Sequence, residues 1–169
     1  QLLAKLSRAD TAVADLEKAV SQDVTLSFKL LKIINSALYA LPRKVQSVRQ
    51  AILLLGRERI RSWVTLLALG ESSDKPSELM VTAMVRAKMC ERLAVSLGRP
   101  KEMDSYFTVG LFSALDAILD APMEEIAKSL PLEDDLLAAL LKREGQMGAV
   151  LNCTLAYERW PMNVGSGTS

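Results

Sequence analysis

Along nearly the whole chain, apolar side chains recur three and four residues apart, and nowhere do they sustain the alternation that a half-buried strand requires. At 3.6 residues per turn this spacing gathers them on one face of a helix, so the chain must bury helical stripes against one another. The fold predicted is all-α, a single compact multi-helix bundle. In 23–38, Leu26, Leu30, Ile33, Ile34 and Ala37 share a face, Lys29, Lys32 and Ser36 lie elsewhere, and Asp23 is placed as an N-cap. Ser47 to Gln50 has capping-box spacing, with Val48, Ala51, Ile52 and Leu55 inward and Gly56 as the stop. The next helix runs from about Glu58 to Leu69, buries Ile60, Val64 and Leu67, and closes at Gly70 and the polar run 71–75.

A long helix follows from Pro76 to Leu97, with Met80, Ala83, Met84, Ala87, Cys90, Ala94 and Leu97 on one side, and stops at Gly98 and Pro100. Phe107, Leu111, Ala114, Leu115 and Ile118 mark another, and Pro122 and Pro131 bracket a short one around Ile126. Glu133, Asp134 and Asp135 stand at the positive end of a helix that continues to Gly145. A last one extends from Met147 to about Arg159, ending before Pro161. The methionines, Met80, Met84 and Met89 among them, read as core filler.

Composition narrows the chemistry. The 169 residues suffice for one domain that buries about 70% of its unfolded surface. They include no histidine, which removes the commonest general base and the commonest transition-metal ligand. Cys90 and Cys153 show no Cys-x-x-Cys spacing and read as reduced, structural thiols. No Gly-rich phosphate loop, nucleophile elbow or metal-binding helix motif occurs, and no cofactor is expected. Neither a membrane-spanning run nor a secretory leader is visible, so a cytoplasmic domain without a membrane partner is expected. The start at Gln1 in mid-pattern and the Gly-Ser-Gly-Thr-Ser end predict a piece of a larger protein, a helical domain over 1–162 and a flexible tail over 163–169.

Charge is segregated along the chain. Lys29 to Arg61 holds eight basic residues against Glu58 alone, whereas Glu102 to Asp135 holds nine acidic residues against Lys128 alone. Two opposed surfaces or an internal pairing both fit that pattern. Arg43, Lys44, Arg49, Arg57, Arg59 and Arg61 form the candidate interaction surface, suited to an acidic protein or domain. A helix, the Gly56 turn and a second helix mimic a helix-turn-helix, but nucleic acid is disfavoured: Trp63 is the only aromatic there, the isoelectric point is about 7.9, and the second helix is apolar. Asn35 and Ser36 read as structural polar residues that fix the following loop. Asp116 and Asp120, four apart, form a carboxylate pair better explained by a solvated face than by a site.

The run from Gln22 to Ala37 (QDVTLSFKLLKIINSA) followed by Val48 to Gly56 (VRQAILLLG) resembles the HDOD domain, the HD-related output domain of bacterial signalling proteins. The similarity continues through Arg59 to Trp63, Arg86-Ala87, Cys90-Glu91, Gly110 to Asp116 (GLFSALD), Pro131-Leu132, Ala139 to Leu141 and Ala156 to Glu158, covering nearly all of 16–161. The later elements most resemble members in which an EAL domain, related to cyclic di-GMP phosphodiesterases, precedes the HDOD domain. The resemblance implies an HD-like helical scaffold. In HD phosphohydrolases a first histidine, a His-Asp dyad and a later aspartate hold metal. The matching segment here puts Ser113 at the histidine and Ala114 at the aspartate, with Arg86 near the first histidine. A methyl group and a guanidinium cannot ligate a divalent ion, and a serine hydroxyl is a poor ligand. The expectation is a non-catalytic signal-transduction domain acting through a neighbouring EAL domain or another signalling protein, in a cyclic di-GMP or related pathway. The alternatives are an altered metal-dependent phosphohydrolase or nucleotide-binding domain, and, further out, a nucleic-acid-binding helical domain.

Overall fold

The first two helices, α1 (Val13–Ser21) and α2 (Val24–Ile34), meet at a sharp corner. The Asp23 carboxylate accepts the Leu26 N–H at 3.0 Å and so caps α2, whose Leu26, Leu30 and Ile34 face inward. The computed structural model describes residues 12–37, 39–70, 77–130 and 132–164, and among these the secondary structure is helical with no strand. Leu38, the polar run 71–75, Pro76 and Pro131, all used in the sequence reading, lie outside the described residues.

α2 ends at Ile34, short of the predicted 38, and Ala37 is exposed rather than inward. Side chains stop it. Ser36 Oγ donates to the Ile33 carbonyl at 2.6 Å, and Asn35 turns away to pair with the backbone of Val45. The Ser36 hydroxyl takes a carbonyl that another helical turn would use, and the Asn35–Val45 pair carries the chain away from the helix axis. In α3 (Val48–Leu55), Ser47 Oγ accepts the Gln50 N–H, and Gln50 Oε1 reaches back to the Gln46 N–H. Gly56, at φ +91°, both closes α3 and opens α4 (Arg57–Leu69). Only glycine turns that corner without strain.

α4 is the central helix. Beyond the predicted Ile60, Val64 and Leu67 it buries Trp63, Leu66, Arg59, Ser62 and Thr65, because α1, α2 and α3 pack on one side of it and α6 on the other. α5 (Ser77–Ser96) ends at Gly98, and a 3₁₀ turn, Pro100–Glu102, leads into α6 (Met103–Phe112). Ala83, Met84, Ala87, Cys90 and Ala94 of α5 are buried as predicted, whereas Leu97 is half-exposed. α5 and α6 touch backbone to backbone at Gly110, where a Cβ would lie 2.5 Å from the Arg86 carbonyl oxygen.

The helix predicted through Phe107 to Ile118 is broken: α6 ends at Phe112, Ser113 and Ala114 form a turn, and α7 (Leu115–Leu119) restarts. The Ser113 carbonyl, which a continuous helix would offer to Ala117, instead accepts from Arg86 Nη1 at 3.3 Å. The Ala117 N–H takes the Asp116 carboxylate. α8 (Met123–Ala127), α9 (Asp134–Lys142) and α10 (Gly145–Val164) complete the bundle, with α9 and α10 against α6 and α10 also against α5. α9 stops at Lys142, before Gly145, with Arg143 left-handed at φ 56°. α10 runs through Pro161 instead of ending before it, so 163 and 164, predicted as tail, are helical, and 165–169 lie outside the described residues. Proline withdraws its own N–H, which removes one helical hydrogen bond, to the Tyr157 carbonyl, on a stretch of the helix where 157–160 are exposed. Among the described residues no helix is long and apolar enough to cross a membrane.

Candidate functional site

The three positions singled out as vacated metal-ligand sites come together at the crossing of α5, α6 and α10. Gly110 lets α6 lie on Arg86 and Ala87, so the turn at Ser113 and Ala114 falls beside the Arg86 side chain. That side chain fills the place. Arg86 Nε and Nη2 donate to the two oxygens of Glu158 on α10, at 2.8 and 2.9 Å, a bidentate fork. Its Nη1 reaches the Ser113 carbonyl and, at 3.4 Å, Ser113 Oγ. The hydroxyl itself donates to the Gly110 carbonyl at 2.6 Å. Ala114 is buried.

The hydrogen bonds from Arg86 hold the Glu158 carboxyl below its ordinary pKa. A cation therefore occupies this junction, every donor of the fork is engaged, and the groups present do not fit a divalent metal. Among the described residues no cluster of three or more Cys, Asp or Glu has the arrangement of a metal site. Deeper along the same interface Cys90 Sγ meets Thr154 Oγ1 at 3.3 Å, and burial pushes the thiol up to about 11. A thiol so protonated at neutral pH is not a nucleophile. Glu158 carries the signal that sequence reasoning passed over. It is the one acidic residue of α10, placed four residues after Thr154 and therefore on the face turned to α5.

The candidate interaction surface is corrected at one member. Arg59 is buried at 7% exposure, and its Nη2 donates to Glu91 Oε1 at 2.9 Å and Asp104 Oδ1 at 3.0 Å, with its guanidinium 4.4 Å above the Phe107 ring. Its neighbours enclose it. The other Glu91 oxygen faces Lys88 at 3.9 Å, and the Lys88 ammonium stands 4.9 Å over Tyr39. Burial lowers the Lys88 pKa, and it raises that of Tyr39 to about 12, so the phenol stays neutral and accepts the Trp63 N–H at 2.6 Å. Trp63, read from sequence as the aromatic of a basic patch, belongs to the core between Tyr39 and Phe107.

Arg43, Lys44, Arg49 and Arg57 are exposed, with Arg49 3.6 Å from Glu17, and Arg61 is half-buried at a recess of about 90 Å³ between α4, α6 and α9. Ser62, Thr65 and Thr108 line that recess, which is small beside the roughly 300 Å³ or more that ligand pockets occupy. From Arg59 to Leu67 every residue of α4 except half-buried Arg61 is buried, so little of that helix is free to lie in a groove. Asn35 Nδ2 donates to the Val45 carbonyl at 2.8 Å and its Oδ1 accepts the Val45 N–H at 2.7 Å, tying the basic loop of Arg43 and Lys44 to α2. Asp116 and Asp120 do not share a helix face as a pair, for α7 ends at Leu119 and Asp120 is left-handed at φ 50°.

Comparison with known proteins places these features. The HDOD domain family model matches residues 1–119. The cyclic di-GMP phosphodiesterase CdgJ of Vibrio cholerae is 34% identical over 160 residues, 94% of this chain but 37% of CdgJ. The uncharacterized protein YuxH of Bacillus subtilis is 36% identical over 162 residues, 94% of this chain and 39% of YuxH. The chain thus spans less than two-fifths of either curated relative. Among solved structures, a candidate phosphohydrolase from Shewanella amazonensis superposes with a TM-score of 0.72 at 17% identity, over 95% of this chain and 75% of the other. An HDOD domain protein of unknown function from Geobacter sulfurreducens gives 0.64, also at 17%, over 92% and 69%. At that identity the structures establish the shared all-helical fold.

Proposed function

The chain belongs to the HDOD domain family, and from that premise we propose that it is a non-catalytic signal-transduction domain that works by binding a neighbouring domain or another signalling protein. One observation carries the reading. At the positions that the resemblance to HD phosphohydrolases matches to metal ligands, this chain holds the Arg86 guanidinium, paired to Glu158 and bonded to Ser113, beside the methyl group of Ala114. Without ligands to activate a metal-bound water, the nucleophile of such an enzyme is lost.

What supports the pathway is the similarity to CdgJ, a cyclic di-GMP phosphodiesterase of which this chain matches under two-fifths. The proposed setting is a bacterial, cytoplasmic cyclic di-GMP or related system, with an EAL domain as the neighbouring partner. The exposed cations Arg43, Lys44, Arg49 and Arg57 supply a docking surface. The test is turnover. Purified protein supplied with Mn, Fe or Mg releases no product from cyclic di-GMP, nucleotides or phosphomonoesters, and calorimetry finds no tight metal site. Metal-dependent hydrolysis that disappears on Arg86→Ala or Ser113→Ala would overturn the proposal.

A further inference from the structure

Much of the charge segregated in sequence also sits on separate helices. α2 and α3 pack on α1 and α4 at one end of the bundle, while α8 packs on α7 and α9, and α9 also on α6 and α10, at the other. The first end exposes Lys32, Arg43, Lys44 and Arg49. The second exposes Asp116, Glu124, Glu125, Glu133, Asp134 and Asp135, with Lys128 among them. The two stretches meet where Arg59 pairs with half-exposed Asp104 and where Arg61 lines one recess with Asp104 and Glu133, which leaves the other exposed charges in place. The basic end also exposes apolar side chains. Val24 and Phe28, one turn apart on α2, are 80% and 67% exposed, and Leu53 and Leu54 on α3 are 67% and 57% exposed. Large apolar side chains grouped on exposed helix faces and rimmed by charge mark a protein-binding surface.

We propose that this basic, apolar end seats on the acidic α7–α9 end of a second copy of the chain, giving head-to-tail association. The proposal rests on the reading of the basic end as a docking surface and names its occupant. Charge complementarity selects that occupant. Four exposed cations at the basic end face six exposed carboxylates, offset by Lys128 alone, at the acidic end, so one contact pairs opposite charge from both, whereas an anionic membrane would satisfy one end and leave the other unmatched. Because the two ends are different surfaces, the contact is heterologous and each molecule keeps one free end, from which chains or rings can grow.

Sedimentation velocity over a concentration series tests this. At low salt the weight-average mass should rise with concentration and return to that of the monomer as salt screens the contact. Lys32→Glu with Lys44→Glu, or separately Glu124→Lys with Asp134→Lys, should weaken association at least tenfold while the circular dichroism spectrum is unchanged. Mixing the two double variants should restore one-to-one pairing, since each retains the native end the other lacks. A strict monomer at low salt, association indifferent to salt and to both reversals, or a mixture that fails to pair would overturn the proposal. Binding of the basic end to phosphatidylserine vesicles without self-association would overturn it too. A strictly monomeric protein that is still inert as a hydrolase and still binds an EAL domain would leave the proposed function standing.

Discussion

Arg59 and Arg86 show how differently one residue type can be used within a single short domain. Arg59 is enclosed, with Glu91 at 15% side-chain exposure and the Phe107 ring around it. Removing one partner of a buried pair strands the other charge, so Arg59→Met should cost about 3 kcal/mol of stability, read from the urea midpoint. Arg59→Met combined with Glu91→Leu should cost less than Arg59→Met alone, since no charge is then left without its partner. Arg86 pairs instead with a half-exposed glutamate, where solvent screens the attraction and the energetic share is smaller. Its signature is pH. Arg86 depresses the folded pKa of Glu158, so the carboxylate stabilises the fold above its unfolded pKa and loses that contribution as pH falls through the folded value. Wild type should therefore be more stable than Glu158→Gln at neutral pH, with the difference vanishing as pH drops below the ordinary glutamate value of 4.5, in urea titrations across that range.

At the scale of elements, the α5–α6 crossing governs the site. In an isolated helix alanine is favoured over glycine by about 1 kcal/mol, so propensity alone predicts that Gly110→Ala stabilises. The crossing reverses the sign. A Cβ at 110 would stand 2.5 Å from the Arg86 carbonyl oxygen and 2.8 Å from Ala87 Cα, both backbone atoms that yield only if the helices separate. Gly110→Ala should destabilise by about 3 kcal/mol, at the upper end of overpacking costs, and should loosen the Arg86–Glu158 contact, seen as faster amide exchange in α10. The helices themselves were legible in the chain because each buries a periodic stripe, and Ser47, Asp23 and Gly56 are punctuation read locally. The break at Ser113 was not legible. Its cause is a guanidinium 27 residues away that takes the Ser113 carbonyl, and no local pattern encodes such a donor. Pro161 misled in the opposite direction, because a missing N–H near the end of an exposed helix costs little.

For the molecule as a whole, stability and recognition should be separable. The core runs from Leu30 and Ile52 through Trp63 and Phe107 to Leu140 and Leu151, while Phe28, Leu53 and Leu54 lie outside it. Phe28→Ser should therefore change stability by no more than about 0.5 kcal/mol, as exposed substitutions do, while weakening self-association in the same sedimentation series. A drop in the urea midpoint as large as that of Arg59→Met would show instead that Phe28 supports the fold. The six arginines and lysines read as one surface divide on the same principle: four are exposed, Arg61 borders a recess, and Arg59 is interior.

Sequence by itself determined the all-helical class, the caps and corners, the segregation of charge along the chain, and which side chains stand at 86, 113 and 114, since each depends on spacing along one chain or on which residue stands at a given position. Tertiary structure decided what those side chains do. Whether an arginine faces water or a buried carboxylate depends on which helices enclose it, and α4 is surrounded in a way its own stripe does not announce. Arg86 entered as a missing ligand; only the approach of α6 at Gly110 and of α10 at Glu158 makes it a clasp, because hydrogen bonds act over about 3 Å and sequence separation says nothing about distances on that scale.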